Sequence, residues 1–130
     1  MRDTFPKDGN MRYFKKPWFK RFAEKEGISD DDLKTLVAEM EAGTVHASLG
    51  GDVYKQRIAR KGEGKSGGYR TLLFFRSGER VFFHYAYAKS DRANITQREL
   101  VALKDAAEVY MQMTPEDLTA AVKAKELFEF

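Results

Sequence analysis

The segment DVYKQRIARKGEGKSGGYRTLLFF, residues 52–75, determines the architecture, because it predicts two neighbouring strands joined through a glycine-rich connection. In its first part polar and apolar residues alternate, so that Val53, Lys55 and Arg57 share one face of a strand. The run YRTLLFF, residues 69–75, is apolar on both faces, as expected of a central strand. The segment therefore predicts a sheet in which a basic face lies beside a buried core.

Helix caps and apolar spacing place the remaining elements of the chain. Ser29 precedes three aspartates that suit the positive end of a helix, and Thr96 with Glu99 forms a capping box. The predicted elements, in chain order, are a strand at residues 11–14, helices beginning near Pro17 and Ser29, strands at 52–59, 69–75 and 80–89, and helices beginning near Thr96 and Thr114. This order predicts an α+β domain in which helices pack on a mainly antiparallel sheet.

The composition indicates one globular domain in a reducing compartment. The 130 residues are 42% hydrophobic and 13% aromatic, which suits a packed core rather than a disordered chain. The absence of cysteine excludes a disulfide framework and a thiolate metal site. No apolar run is long enough to span a membrane and the start lacks a signal-peptide core, so we expect a cytoplasmic protein. We further expect residues 1–10 to be a flexible extension and residues 11–130 to form the single domain.

Positive charge is concentrated in one part of the chain. The net charge is only +3, but seven Lys or Arg residues stand between Lys55 and Arg76, against the single acid Glu63. A local basic field on a nearly neutral protein favours an anionic ligand at that place. A solvated charged loop is the alternative interpretation.

Alternation along three strands predicts a basic cleft edged by tyrosines. Lys55 and Arg57 leave the same face of one strand, and we expect this face to be open because burying two unpaired cations would be costly. Tyr85, Tyr87 and Lys89 share one face of the last strand by the same period of two. The side chains predicted to carry chemistry are Lys55, Arg57, Arg70 and Lys89. The side chains predicted to contact the ligand around them are Arg60, Lys61, Lys65, Tyr85 and Tyr87.

Such a cleft suits RNA and its cleavage without a metal ion. Cations hold phosphates, and a tyrosine can stack on a base. In metal-free cleavage a ribose 2′-hydroxyl attacks the adjacent phosphate, cations stabilise the phosphorane, and a lysine with a pKa lowered by neighbouring cations moves a proton. Lys65 does not belong to a P-loop, because the residue spacing upstream of Gly64 is wrong. His84 is predicted to lie opposite Tyr85 as a structural residue, and His46 falls in a loop without an interpretation.

The cations and glycines also form a pattern that has a known counterpart. Residues 55–70, KQRIARKGEGKSGGYR, fit K-x-R-[IV]-A-x-x-G-x-G-K-x-G-G-x-R, and residues 82–96, FFHYAYAKSDRANIT, follow. Together, over about residues 12–113, they resemble the RelE/HigB-like toxins of bacterial type II toxin–antitoxin systems. The resemblance implies a curved sheet backed by two N-terminal helices, and a small ribonuclease that needs no metal or cofactor. It also implies cleavage of messenger RNA, often in the ribosomal A site, which inhibits translation and growth.

The resemblance implies roles for individual residues. By it, Arg57 and Arg70 stabilise the phosphorane, Lys55 or Lys89 handles the protons, and Tyr87 is a candidate for stacking or orientation. The segment AKSDRAN departs from the more common AKNE, which leaves the polar role of this turn open.

Partners and alternatives also follow from the resemblance. It implies a cognate antitoxin, usually a small protein with a helix-turn-helix DNA-binding part. One alternative is a ParE-like protein that inhibits DNA gyrase by contact rather than by catalysis. Another is an RNA- or ribosome-binding module without catalysis, since binding and cleavage use the same cations.

Overall fold

The computed structural model describes residues 11–60 and 64–130, with side chains throughout these ranges except at residues 64–66. This part of the chain forms six strands and four helices in the order β-α-α-β-β-β-β-α-α-β. The strands are β1 Arg12–Lys15, β2 Ala47–Gly50, β3 Val53–Arg60, β4 Gly64–Arg76, β5 Arg80–Ala88 and β6 Phe128–Glu129. The helices are α1 Pro17–Glu26, α2 Asp30–Glu41, α3 Gln97–Gln112 and α4 Pro115–Lys123.

The predicted α+β class and its eight main elements are confirmed. Strands β2 and β6 were missing from the prediction, because they have four and two residues and are too short to show alternation. The extension predicted at residues 1–10 lies outside the described residues. Among the helices of the described ranges, none has the length and apolar character needed to cross a membrane.

The sheet is antiparallel except at one junction. Its strand order is β2-β3-β4-β5-β1-β6, and β1 runs parallel to β5. Strand β1 pairs with β5 only as far as Phe83, because Pro17 follows at the first position of α1 and takes the chain off the sheet. The second half of β5, residues 84–88, therefore has α1 rather than a strand beside its outer edge.

Helices cover both faces of the sheet, which explains why β4 and β5 are apolar on both sides. On one side, which we call the α1 face, Phe19 and Leu33 share a core with Phe83. On the other side, which we call the α3 face, Leu103 and Leu118 share a second core with Phe82. The side chains of a strand therefore divide between two separate cores according to their parity.

A β-bulge in β5 changes this parity. Leu72 of β4 pairs with Tyr85, and the next residue, Leu73, pairs with Phe83, so that His84 is an extra residue in β5. The ring of His84 lies 5.1 Å from that of Phe74 on the α3 face. His84 and Tyr85 together line a cavity of about 500 Å³ beneath α3. The prediction that His84 lies opposite Tyr85 is therefore wrong, because it assumed an unbroken period of two.

Gly68 marks a close approach between β3 and β4. A Cβ atom at this position would lie 2.0 Å from the carbonyl oxygen of Ile58 and 2.7 Å from the amide nitrogen of Arg60. Both neighbours are backbone atoms, and the pairing of β3 with β4 is irregular between them. Only glycine fits here, two residues before Arg70.

Candidate functional site

Strand pairing brings five of the predicted site residues onto the α3 face. Arg57 pairs with Arg70, and Arg70 pairs with Tyr87, so these three side chains form a row across β3, β4 and β5. One step along the strands, Lys55 and Tyr85 occupy the two ends of the next row, with a leucine between them. We call Arg57, Arg70 and Tyr87 the polar row.

The polar row combines an exposed cation with a buried one. Arg57 is exposed, whereas Arg70 and Tyr87 are buried, at 9% and 5% of their full accessible surface. Within the described part of the chain, Nη1 of Arg70 and the hydroxyl of Tyr87 have no hydrogen-bond partner. Buried donors without partners are rare and costly in folded proteins. Two of them in one row, beside an exposed guanidinium, suit an oxyanion that would accept from all three.

Tyr87 is held as a hydrogen-bond donor. Burial raises the pKa of Tyr87, an effect that the positive charges of Arg92 and Arg70 partly oppose. The phenol therefore keeps its proton at neutral pH and is a donor rather than a base. The guanidinium of Arg92 lies over the Tyr87 ring at 5.3 Å from its centroid, which covers one side of the phenol.

Arg92 is itself anchored to the start of α3. Its two terminal nitrogens donate to Glu99 at 3.1 and 2.5 Å. Glu99 also accepts from the backbone amide of Thr96 in the capping box of α3. The hydrogen bond from Arg92, with that from Thr96, lowers the pKa of Glu99 to about 2. Arg92 was not among the predicted site residues, because the only feature of its segment with an interpretation was the departure from AKNE.

Lys55 is tied to the same loop. Its ammonium group donates to Oδ1 of Asn94 at 3.2 Å, and this oxygen also accepts from the backbone amide of Ile95. Lys55 is half-buried and stands two residues before Arg57 on one face of β3. The loop between β5 and α3 thus supplies a contact to Lys55 at one end of the site and to Tyr87 at the other.

Two predicted site residues are not members of the polar row. Strand β5 ends at Ala88, so Lys89 stands in an exposed turn and the strand period does not place it with Tyr85 and Tyr87. Arg60 lies over the ring of Tyr69 at 5.5 Å, and Tyr69 belongs to the core on the α1 face. Neither Lys89 nor Arg60 is therefore a member of the polar row that strand pairing defines.

The two loop lysines predicted to contact the ligand are not described. Lys61 lies outside the described residues, and Lys65 is described only by its backbone position in β4. Their predicted roles stay predictions.

His46 supports the site from the neighbouring loop. Its ring nitrogen Nδ1 accepts from the backbone amide of Arg57 at 2.9 Å. The backbone amide of His46 donates to the fully buried Gln56 side chain, which also donates to the carbonyl of Thr44. His46 thus takes the place of a strand partner for β3 beyond the end of β2. Sequence analysis gave it no role, because a lone histidine ahead of a short strand has no periodic pattern.

His84 is a neutral imidazole in the cavity under α3. Burial, together with the nearby charge of Lys16, lowers the pKa of His84 to about 4. The ammonium group of Lys16 lies 3.3 Å from Nδ1. In the described ranges, no group of three or more His, Cys, Asp or Glu side chains is arranged to hold a metal ion.

The comparisons with known proteins give one finding. A family model described as the RelE toxin of the RelE / RelB toxin–antitoxin system matches residues 11–130. The match covers all five α3-face site residues and both helical layers. A search of curated proteins found no match.

Proposed function

The chain belongs to the RelE toxin family, and from this premise we propose that it is a metal-independent endoribonuclease that cuts messenger RNA, in the A site of translating ribosomes. The family description pairs such a toxin with an antitoxin. The single observation that carries the proposal is the polar row, in which Arg70 Nη1 and the Tyr87 hydroxyl are buried donors without a partner in the described chain. A bound phosphate would accept from both of them.

The proposed reaction is an internal transfer at phosphorus. The 2′-oxygen forms a bond to phosphorus while the bond from phosphorus to the 5′-oxygen breaks, which leaves a 2′,3′-cyclic phosphate and a 5′-hydroxyl end. A base takes the proton of the 2′-hydroxyl, and an acid returns a proton to the leaving 5′-oxygen. Negative charge accumulates on the non-bridging oxygens during this step, which is where preorganised cations are most effective.

The residues of the α3 face divide these tasks. Arg57 and Arg70 would stabilise the phosphorane from the exposed and the buried side of one row. Tyr87 would donate a hydrogen bond to a phosphate oxygen, since burial raises its pKa and keeps it protonated. Lys55 is favoured over Lys89 for proton transfer, because it lies on the same strand face as Arg57, whereas Lys89 stands beyond the end of β5.

We propose two partners besides the RNA. The antitoxin would mask the basic face, and a helix-turn-helix part of the antitoxin would bind the operator of the shared operon. The ribosome would present the messenger RNA in a conformation that exposes one phosphodiester to the polar row. Both partners are expected in the cytoplasm.

The experiment compares the wild type with Arg70→Met and with a matched control, Arg98→Met, in which the same change is made at an exposed position of α3. Each protein is expressed in a bacterial host without antitoxin, and the 5′-hydroxyl ends of messenger RNA are mapped. We expect new ends at in-frame positions with the wild type and with Arg98→Met. In Arg70→Met we expect cleavage to fall about 10²- to 10³-fold, which is the usual loss for one oxyanion donor.

Other outcomes would contradict the proposal in distinct ways. Growth arrest with intact messenger RNA would indicate a different target, such as DNA gyrase. Cleavage of free RNA by the purified protein, measured without ribosomes, would contradict the metal-independent mechanism if it disappeared in EDTA. A folded wild type that neither arrests growth nor cuts RNA would be a binding module without catalysis.

A further inference from the structure

A second feature of the molecule lies outside the polar row, at the edge of β5 that β1 leaves uncovered. A groove of about 470 Å³ runs between α1 and the second half of β5. One side of α1, Phe19 and Ala23, is buried in the core. An adjacent stripe, with spacings of three and four residues, faces the groove and consists of Trp18, Arg21, Phe22 and Lys25.

The groove contains the single tryptophan of the chain in an exposed position. Trp18 keeps 39% of its surface accessible, whereas five of the nine phenylalanines in the described ranges are fully buried. Its ring stacks on Phe22, with centroids 5.2 Å apart and planes at 10°. Tyr85 is a second neighbour, with its centroid 4.5 Å from that of Trp18 and the two planes tilted by 38°. These neighbours hold the indole in one orientation while part of it faces solvent, which is the arrangement of a stacking platform.

Positive charge lies on both walls of the groove. Arg21 and Lys25 are exposed on the wall formed by α1. Arg60 and Arg92 line it from the sheet side. The acids in the lining are Glu26, which accepts a hydrogen bond from the hydroxyl of Tyr69, and Asp91. Aromatic rings between two cationic walls fit a nucleotide, because the rings take the base and the cations take the phosphates.

The groove is continuous with the proposed cleavage site. Tyr85 and Tyr87 line the groove, and both also belong to the α3 face, where Tyr87 is a member of the polar row. An RNA strand whose phosphate lies at the polar row would therefore have the groove next along its path. Arg60, which was predicted to contact the ligand and lies over the Tyr69 ring on the α1 face, lines the groove too.

We propose that this groove binds a nucleotide that flanks the cleaved bond, with its base stacked on Trp18 and its phosphate held by Arg21 and Lys25. The inference rests on the proposed function, since it takes RNA as the ligand. It adds a subsite on α1 to the cations of the sheet. A peptide segment of a protein partner is the competing occupant, and the test below separates the two.

The single tryptophan provides the test. A single-stranded RNA hexamer with 2′-O-methyl sugars, which the proposed reaction does not cleave because the 2′-oxygen is blocked, is titrated into the wild type while the fluorescence of Trp18 is followed. We expect saturable quenching, because a base that stacks on the indole changes its surroundings. Binding of the same hexamer, labelled at one end, is measured by fluorescence anisotropy for the variants.

Each variant has its own expected effect. Trp18→Leu should weaken binding about 5- to 150-fold, the range for loss of one stacked base, and Trp18→Phe should recover most of it. Lys25→Ala should reduce the slope of log affinity against log salt by about 0.7, as expected for one lost phosphate contact on a single strand. Lys123→Ala removes an exposed lysine from α4 and should leave the slope unchanged. Since Lys25 is exposed, its variant tests the groove even where Trp18→Leu does not fold.

The outcomes separate the groove from the cleavage reaction. One outcome would overturn the nucleotide subsite alone: the wild type cuts RNA without quenching of Trp18, and Trp18→Leu and Lys25→Ala bind the hexamer as tightly as the wild type does. The groove would then be the binding surface of a protein partner. Quenching and variant effects without any cleavage would support the groove and overturn the nuclease. A wild type that neither binds nor cuts RNA would overturn both.

Discussion

The two ends of the α3 face show how one pattern of strands yields two different surfaces. At one end Phe74 and Phe82 are completely buried beneath α3 and α4. At the other end the same strands carry Arg70 and Tyr87, which are also buried but have donors without partners in the described chain. The alternation of side chains is the same at both ends. At the apolar end the helices above the sheet bury the side chains. At the polar end the buried donors gain hydrogen-bond partners only when a ligand supplies acceptors.

The largest expected effect is at the apolar end. Phe82→Ala should lower the free energy of unfolding by about 3–5 kcal/mol, because it leaves a cavity among fully buried side chains. Val109→Ala, at a position of α3 that is 62% exposed, should change it by less than about 0.5 kcal/mol. Urea unfolding followed by circular dichroism measures both. Equal losses in the two variants would contradict the assignment of the core to this end.

At the polar end a substitution should change the free energy of unfolding in the opposite direction. Arg70→Met should raise the free energy of unfolding by about 1 kcal/mol, because it removes a buried donor that lacks a partner and keeps the aliphatic volume. The same urea titration measures this change, and the cleavage assay supplies the accompanying loss of activity. A fall in stability comparable to that of Phe82→Ala would mean that Arg70 supports the fold and would break the comparison.

A smaller, pH-dependent effect is expected at His84, between the two ends. The folded state lowers the pKa of His84 to about 4 from an ordinary value of 6.5, so the unfolded chain binds a proton first as the pH falls. The stability of the wild type should therefore be complete above about pH 6.5 and should decrease from there towards pH 4. Unfolding free energies at pH 7 and pH 5 should differ less in His84→Leu than in the wild type. An identical pH dependence in the two proteins would count against a half-buried, neutral imidazole at position 84.

The smallest effect is expected at the start of α3, where the polar end is anchored. The pKa of Glu99 is about 2 in the folded protein against an ordinary 4.5, so its contribution to stability is complete above pH 4.5 and is lost as the pH falls towards 2. Glu99→Gln should unfold more easily than the wild type at pH 7, and the two should unfold alike at pH 2. Glu108→Gln, on the same helix, is the matched control, and thermal unfolding monitors all three. A difference that persists at pH 2 would have a cause other than the charge of Glu99.

Much of the fold could be predicted from the sequence, because its determinants are local. Ser29 and Thr96 cap their helices through residues three positions ahead, and these capping boxes are present in the structure. Val53, Lys55 and Arg57 share a face because alternation along β3 is unbroken between them. These β3 side chains lie on the same face as Arg70 and Tyr87 because the three strands pair in antiparallel fashion. The spacing of strands and turns in the sequence predicted this pairing.

The parts that could not be predicted depend on contacts between distant segments. The bulge at His84 has no local signal, since it arises where the register of β5 against β4 shifts. Lys89 was placed on a strand that ends one residue earlier, at Ala88. Arg92 contacts the ring of Tyr87, and His46 accepts a hydrogen bond from the backbone amide of Arg57. Both contacts join segments that only the folded chain brings together. The exposure of Trp18 has no local signal, because the spacing of apolar residues within α1 does not reveal that β1 stops short of it.

The bulge in β5 has a consequence for how this strand tolerates insertions and deletions. Phe83 and Tyr85 pair with adjacent residues of β4, so His84 is an inserted residue between them. A chain from which residue 84 is deleted would pair Phe83 and Tyr85 in regular succession and would keep both tyrosines on their present face. Deleting Ala86 would instead shift Tyr87 to the opposite face. A gap at position 84 in an aligned relative would therefore be compatible with an intact polar row, whereas a gap at position 86 would not.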